Sequence, residues 1–290
     1  TGGLEKEYSL EYNLKTKRKS LKENGTKISR LSDIIGKIPV VIFSPENIMM
    51  IKGEPGLRRK FIDDMISQID PGYYRILLKY GKEVSHRNYL LKGIREGRVN
   101  KFALNVWNKQ IAENGCSILL ARINAIKKLN LMLRGSLAKE EAKIEIEYFS
   151  KSFDSLEAGE IMEKYEKHFE ERIDEEIARS TTLIGPHRDD LIFKFNGMNA
   201  KQFASEGQQR LCAILIKLAE GLHIKNSKGT YPVVMLDDFS SELDNPNRRF
   251  IGETFSGFKQ IIITTVYPDN LKGFKPDREY KVENGIVSLI

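Results

Sequence analysis

The segment Val233-Val234-Met235-Leu236-Asp237-Asp238 decides the fold of this chain. Four apolar residues followed by two acids predict a buried β-strand that ends by presenting carboxylates at the edge of a sheet. Asp237 is predicted to organise Mg²⁺ through water and Asp238 to polarise an attacking water molecule, which is the Walker B arrangement. Two solvated acids in a strand-end turn are the alternative, which the apolar tetrad and the following Ser-Glu-Leu-Asp disfavour.

A second segment, Ala204-Ser205-Glu206-Gly207-Gln208-Gln209-Arg210, opens a predicted amphipathic helix. Ser205 can cap this helix in a capping box with Gln208. Next to the acidic pair a further role is predicted, in which Ser205 and the Gly207 amide meet a γ-phosphate at the helix N-terminus. Together the two segments indicate an ATPase of the ABC type.

Thr264 and Thr265 end another predicted strand, which covers residues 260–265. Their hydroxyls are candidates for sensing the γ-phosphate or orienting water. The alternative is that β-branched residues simply satisfy strand propensity.

The turn 185–190 has mixed charge. Arg188 is interpreted either as a phosphate contact in fork geometry or as the partner of Asp189 or Asp190. His187 is interpreted as a local hydrogen-bonding residue rather than a catalyst.

The net charge of +7 is concentrated near the N-terminus. Positions 15–30 hold seven basic residues and the single acid Glu23, so this segment carries +7 − 1 = +6 and the rest of the chain +7 − 6 = +1. A local basic patch indicates polyanion binding better than a high isoelectric point does. The alternative is a solvated hairpin. The candidate nucleic-acid contacts are Lys15, Lys17, Arg18, Lys19 and Lys22.

Other classes of protein are disfavoured by composition. No apolar run approaches the roughly 18–20 residues that span a bilayer, and the first residues lack a signal-peptide core. A cytoplasmic location without a membrane partner is therefore expected. The two cysteines, Cys116 and Cys212, lie among apolar neighbours and are expected to be buried thiols. The four histidines show no metal-ligand spacing.

The order of predicted elements gives an α/β fold with a helical insertion. Helices are predicted at 57–69, 73–94, 101–137 and 159–180, and β-rich segments precede and follow them. The predicted domains are residues 1–56 and 181–290, which form the two parts of one ATPase head, and the helical lobe 57–180. Neither end has enough strands alone, so both are expected to join one sheet that is parallel in its main part.

Three motifs carry a resemblance to a known family. They are Thr181-Thr182-Leu183-Ile184-Gly185-Pro186-His187-Arg188-Asp189-Asp190-Leu191, Phe203-Ala204-Ser205-Glu206-Gly207-Gln208-Gln209-Arg210 and Leu236-Asp237-Asp238-Phe239-Ser240-Ser241-Glu242-Leu243-Asp244. In this order they closely resemble the RecF family, bacterial DNA replication and repair proteins of the SMC/ABC-type ATPase class. The resemblance covers essentially the whole chain.

The resemblance implies a slow, DNA-stimulated ATPase that uses ATP and Mg²⁺. It implies an ATP-dependent homodimer on double-stranded and gapped DNA that aids recombinase loading with RecR/RecO-type mediator proteins. Ser205, Gly207 and Gln208 would act in trans on the partner's nucleotide, and Ser241 and Asp244 would belong to the D-loop at the dimer seam.

One departure affects the expected activity. RecF proteins begin with a strand, a Walker A loop and its helix, whereas the 290 residues contain no G-x-x-x-x-G-K-[ST]. The chain as written is therefore expected to bind Mg-ATP poorly and not to hydrolyse it. Two alternatives are a transporter-type nucleotide-binding subunit, which the helical insertion and the basic hairpin disfavour, and a non-hydrolysing protein-interaction module.

Overall fold

The computed structural model of the chain describes residues 6–138, 142–150, 152–153, 158–238, 250, 252–255, 257–266 and 276–290. The strands are β1 (Tyr8–Asn13), β2 (Arg18–Glu23), β3 (Thr26–Ile28), β4 (Val40–Phe43), β5 (Ile144–Phe149), β6 (Asp190–Phe195), β7 (Met198–Asn199), β8 (Val233–Asp237), β9 (Ile261–Thr264), β10 (Tyr280–Glu283) and β11 (Ile286–Leu289). The helices are α1 (Ile48–Lys52), α2 (Pro55–Ile69), α3 (Pro71–Arg95), α4 (Asn105–Arg134), α5 (Ala158–Glu171), α6 (Ile173–Arg179), α7 (Ala200–Phe203) and α8 (Glu206–Lys228). Short 3-10 helices cover Leu31–Ile34, Pro45–Asn47 and Lys101–Leu104.

A parallel sheet of order β4-β8-β9 joins the two ends of the chain, which confirms the expectation that they share one sheet. Val41, Val234 and Leu236 are almost fully buried on the face that packs under α8. On the opposite face Ile42, Met235 and Ile262 stand side by side in register and are 49%, 37% and 44% exposed.

Strand β6, in the last third of the chain, lies outside the parallel sheet that joins the two ends. β6 pairs antiparallel with β5 and with β7, in the order β5-β6-β7. Asn196 and Gly197 both have positive φ values, 50° and 81°, and make the tight turn that folds β7 back on β6. The helical insertion thus contributes β5 to a sheet whose other two strands, β6 and β7, come from the last third of the chain.

The predicted helices 57–69, 73–94 and 101–137 correspond to α2, α3 and α4, the last preceded by a 3-10 turn. The single helix predicted at 159–180 is two helices, α5 and α6, which break at Arg172 where φ is −113° and ψ 14°. Near the end of the sequence, β10 and β11 form an antiparallel hairpin.

Two buried ion pairs, Arg122–Asp63 and Arg87–Glu176, connect helices of the helical region. The Arg122 guanidinium donates to both Asp63 oxygens, each at 2.8 Å, and to the Pro186 carbonyl at 2.7 Å. Arg87 is fully buried and pairs with the equally buried Glu176 at 2.5 Å. Burial lowers the pKa of Arg122, but the Asp63 carboxylate outweighs it and leaves that pKa well above its usual value.

No helix in the described parts of the chain is both long and apolar enough to cross a membrane.

Candidate nucleotide-binding edge and DNA-binding surface

Asp237 and Thr264 lie side by side at the carboxyl ends of β8 and β9, where parallel sheets place their ligands. The Thr264 hydroxyl donates to Asp237 Oδ1 at 2.5 Å, and the Asp238 amide donates to the Thr264 carbonyl at 3.1 Å. The Asp237 side chain is exposed. Thr264 therefore fixes one carboxylate oxygen of Asp237 at an edge that is open to solvent.

Asp238 adopts a backbone conformation that is unusual for a non-glycine residue, with φ at 42°. The left-handed region costs an L-residue about 1–2 kcal/mol, although Asp and Asn tolerate it best. Asp238 therefore departs from the extended backbone of β8. Such an outlier at a strand end is typical of a functional turn.

Ser205 begins α8 with the predicted capping box. The Ser205 hydroxyl accepts from the Gln208 amide at 3.3 Å, and the Ser205 amide donates to Gln208 Oε1 at 2.8 Å. Ser205, Gly207 and Gln208 are all exposed, and a Cβ added to Gly207 would meet open space. The helix start is thus capped and accessible, although the Gln208 side chain is engaged in the cap.

The N-terminus of α8 lies near the carboxyl ends of the parallel strands, the same edge of the sheet that carries Asp237. At its C-terminal end, Lys228 donates to the Gln68 carbonyl, while the Gln68 side chain accepts from the Val40 amide at the beginning of β4. At its N-terminal end, Glu206 pairs with Lys52 of α1, which follows the end of β4. Helix α8 therefore runs antiparallel to β4. The structure shows no contact between Ser205 and Asp237 within the described residues.

The carboxylates at this edge suit Mg²⁺ that is bound mainly through phosphates. Magnesium is held by one or two carboxylates together with water and substrate phosphates rather than by a full protein cage. The exposed Asp237, held by Thr264, offers such a carboxylate. Within the described residues no group of three or more His, Cys, Asp or Glu side chains forms a cage. Ser241 and Asp244, the predicted D-loop residues, lie outside the described residues.

The turn 185–190 serves as a structural joint. Arg188 donates to the Thr182 carbonyl at 3.1 Å and to the Thr181 hydroxyl at 2.7 Å, and makes no ion pair with Asp189 or Asp190, both of which the structure describes. Of its two interpretations, the pairing with these acids is therefore wrong, and the phosphate contact stays a prediction. Those acids face the helical region instead. Arg58 makes a two-point bond with Asp190 at 2.7 and 2.9 Å, and Asp189 accepts from the Tyr148 and Ser150 hydroxyls, each at 2.6 Å.

His187 in this turn is held as a neutral ring. Its Nε2 lies 3.2 Å from the Thr182 carbonyl, which can only accept, so Nδ1 accepts from the Tyr80 hydroxyl at 2.7 Å. Burial lowers the pKa of His187 to about 4. The interpretation of His187 as a local hydrogen-bonding residue agrees with these contacts.

The predicted nucleic-acid residues lie in an antiparallel meander, β1-β2-β3. Lys15 and Lys17 are in the turn between β1 and β2, and Arg18 and Lys19 begin β2; all four are exposed. Lys22 differs, because it is half-buried and pairs with Glu11 at 2.5 Å. The turn and the start of β2 therefore carry four cations that face solvent.

Two curated relatives of this chain carry the same name. The chain is 34% identical to "DNA replication and repair protein RecF" of Natranaerobius thermophilus, covering 99% of this chain and 78% of that protein. It is 37% identical to the protein of that name from Halothermothrix orenii, with coverage of 97% and 76%. No family model matches the chain.

A solved structure described as "Structure of the recombination mediator protein RecF-ATPrS in RecFOR pathway" superposes with a TM-score of 0.87 at 33% identity. It covers 99% of this chain and 77% of that chain. A second structure, of "RecF-ATP", gives the same TM-score and identity. The fold and the strand-end acids thus define an ABC-type ATPase head with an inserted helical lobe. The chain belongs to the RecF family of DNA replication and repair proteins.

Proposed function

We propose that this chain forms the Walker B and signature part of a DNA-dependent ATPase that dimerises with ATP on gapped or double-stranded DNA. The observation that carries this proposal is the geometry of the sheet edge. Asp237, held by Thr264, and the exposed, capped start of α8 lie at the same edge of the parallel sheet, at the carboxyl ends of its strands, without touching each other. The RecF structures are described with ATP or ATPrS, which supports nucleotide as the ligand.

The separation of these two groups supports a site that two copies share. In a two-fold symmetric dimer, the same surface of each copy meets its partner, so Ser205 of one copy can face the acids of the other. Ser205 and the Gly207 amide then donate to a γ-phosphate at the positive end of a 23-residue helix. The predicted D-loop residues Ser241 and Asp244 would lie at the same seam.

Each residue at the edge has a distinct proposed role. Asp237 would hold Mg²⁺ through water, and Thr264 would keep its carboxylate oriented. Asp238 would orient and polarise the attacking water. Bound Mg²⁺ would neutralise charge on the transferring phosphoryl group.

The exposed apolar row Ile42–Met235–Ile262 fits a further packing partner, because parallel sheets are normally covered on both faces. This row stands beside Asp237, where a helix that follows a phosphate-binding loop would bring its amides to the nucleotide. Since none of the 290 residues supplies that loop, we propose weak ATP binding and no turnover for the chain as written.

An ATP titration tests this proposal on two proteins. The first is the 290-residue chain, and the second is the chain extended upstream of Thr1 by a strand, a G-x-x-x-x-G-K-[ST] loop and a helix. We expect tight Mg-ATP binding, ATP-dependent dimers and DNA-stimulated hydrolysis only in the extended protein. Tight binding by the 290-residue chain would contradict the proposal, and an extended protein that binds ATP but ignores DNA would favour a transporter-type subunit. One that neither binds nor hydrolyses ATP would favour a protein-interaction module.

The hairpin cations are proposed to contact DNA phosphates. The variant Lys17→Ala/Arg18→Ala/Lys19→Ala is expected to weaken duplex binding and to reduce the slope of log affinity against log salt by about 0.9 for each phosphate that is no longer neutralised. An unchanged affinity and an unchanged slope would remove the hairpin from the interface. Help in recombinase loading, with RecR/RecO-type proteins as partners, completes the proposal and is tested by co-purification with those proteins in the presence and absence of ATP.

A further inference from the structure

A cleft of about 980 Å³ lies between residues 30–37, which follow the basic hairpin, and helix α3. Asp33 is the one acid among its lining residues. The cations that line the cleft are Arg30, Lys37, Arg75, Lys79, Lys82 and Lys228. The excess of positive charge is therefore large for one concave surface.

Half of these cations are used by the fold. Lys37 pairs with Glu23 at 2.6 Å, and Lys228 donates to the Gln68 carbonyl at 3.2 Å. Lys79 approaches the buried Glu83 at 3.7 Å. The side chains of the other three, Arg30, Arg75 and Lys82, make no ion pair or hydrogen bond to any residue that the structure describes.

The cations on α3 belong to a longer exposed stripe. Arg75, Lys79, Lys82, His86 and Tyr89 follow one another at spacings of four, three, four and three residues, so they share one helix face. All five are exposed. Like charges at these spacings destabilise a helix by a few tenths of a kcal/mol per pair. Lys79 has a partial partner in Glu83, whereas Arg75 and Lys82 have no side-chain partner among the described residues and do not stabilise the helix.

The far end of the stripe offers aromatic surfaces. His86 stacks on Trp107 of α4, with ring centroids 4.8 Å apart and planes 22° apart. Tyr89 is 66% exposed, and Phe102, in the 3-10 turn before α4, is 78% exposed. Nucleic-acid bases stack on such rings only when they are unpaired, whereas a duplex hides its base faces.

We propose that the cleft and the α3 stripe together bind single-stranded nucleic acid, with phosphates at Arg75, Lys79 and Lys82 and bases at Tyr89 and the His86–Trp107 stack. This inference rests on the proposed DNA-binding function. The stripe from Arg75 to Tyr89 is about 21 Å long, because a helix rises about 1.5 Å per residue. The surface is separate from the nucleotide-binding edge, since Lys228 and Ser205 lie at opposite ends of α8.

A charge variant tests the phosphate contacts by fluorescence anisotropy with a short labelled oligothymidylate and a duplex of the same length. Arg75→Ala/Lys79→Ala/Lys82→Ala is expected to weaken oligothymidylate binding about tenfold or more and to reduce its salt slope by about 2. The control Lys60→Ala/Lys127→Ala/Lys167→Ala removes the same charge from exposed positions elsewhere and is expected to change affinity less than about twofold.

An aromatic variant separates base stacking from electrostatic attraction. Tyr89→Ala is expected to weaken oligothymidylate binding about fivefold or more, and to leave duplex binding unchanged. Tyr280→Ala, at a residue that is 54% exposed on β10, is the matched control and is expected to change neither. Because Tyr89 is exposed, its removal leaves the core intact.

Four results would overturn the inference. Equally weakened binding of oligothymidylate and duplex in the charge variant, with no effect of Tyr89→Ala, would show a general polyanion surface. Weakened binding of a labelled polyglutamate peptide but not of oligothymidylate would show a site for an acidic protein segment. Unaltered DNA binding in both variants would exclude this surface while leaving the proposed function intact, whereas a parent protein that binds no DNA would refute both.

Discussion

The buried Arg122–Asp63 pair and the proposed nucleotide-binding edge use the same carboxylate chemistry to opposite ends. Both oxygens of Asp63 are bonded to Arg122, and the guanidinium is only 3% exposed. Asp237 has one oxygen held by Thr264 and its side chain is open to solvent. A carboxylate whose acceptor sites are filled by its own chain stabilises the fold, whereas one that is oriented but accessible is prepared for a ligand.

The largest expected effect is on the free energy of unfolding, at the buried Arg122–Asp63 pair. Arg122→Leu should lower the free energy of unfolding by about 3–5 kcal/mol, because Asp63 is left charged and buried without its partner. The double variant Arg122→Leu/Asp63→Leu should lose clearly less than the two single variants summed. Urea unfolding followed by circular dichroism measures all of them, and simple additivity would show that the pair is not coupled.

Replacing Asp238 at the open edge should lower ATP hydrolysis rather than folding stability. In the upstream-extended protein, Asp238→Asn should lower DNA-stimulated ATP hydrolysis about 100-fold or more if Asp238 polarises water. Its free energy of unfolding should stay the same or rise, since Asn tolerates the positive φ of 42° at this position. A variant that hydrolyses ATP normally would assign Asp238 to the turn alone.

Low pH should reduce the free energy of unfolding through His187, in the turn 185–190. The pKa of His187 is about 4 in the folded chain because the ring is buried, and about 6.5 when unfolded. Between these values the unfolded chain binds more protons, so stability is lost as the pH falls from about 6.5 to about 4, on the order of 2–3 kcal/mol from this residue. His187→Gln should flatten that part of the curve of unfolding free energy against pH, and a curve of unchanged steepness would contradict the assignment.

The smallest expected change in stability is at Ser205, where two variants distinguish helix capping from phosphate binding. Ser205→Ala should cost about 1 kcal/mol of stability. Ser205→Asp should keep the cap, because Asp caps as well as Ser, but its charge should repel a γ-phosphate and abolish ATP-dependent dimers in the extended protein. Dimers that persist in Ser205→Asp, seen by analytical ultracentrifugation, would leave Ser205 with a capping role only.

Local patterns were sufficient to predict the elements that surround the edge. The apolar tetrad before Asp237 predicts β8, and the capping box predicts the start of α8, because both signals lie within a few consecutive residues. The small number of strands at each end also predicts that the two ends share one sheet, but not that β4 pairs with β8. The specific roles of Asp237, Asp238, Thr264, Ser205 and Gly207 stay predictions.

Contacts between distant segments could not be predicted in the same way. Arg122 and Asp63 are 59 residues apart, and neither stands in a distinctive motif. Pairing with Asp189 or Asp190 is one of the two interpretations of Arg188 from sequence, whereas the turn directs Asp190 to Arg58, 132 residues earlier. The cations of α3 were detectable in principle from their four-three spacing, but the cleft they line depends on how residues 30–37 pack beside them.

Helix α8 connects the two proposed ligand surfaces as one rigid rod. Its 23 residues span about 34 Å, from Ser205 at the dimer-facing side to Lys228 in the cationic cleft. A tilt of about 5° at the first end displaces the other by about 3 Å over this length, which is the length of a hydrogen bond. Any closure of two copies around ATP that rotates this rod must also change the width of the cleft.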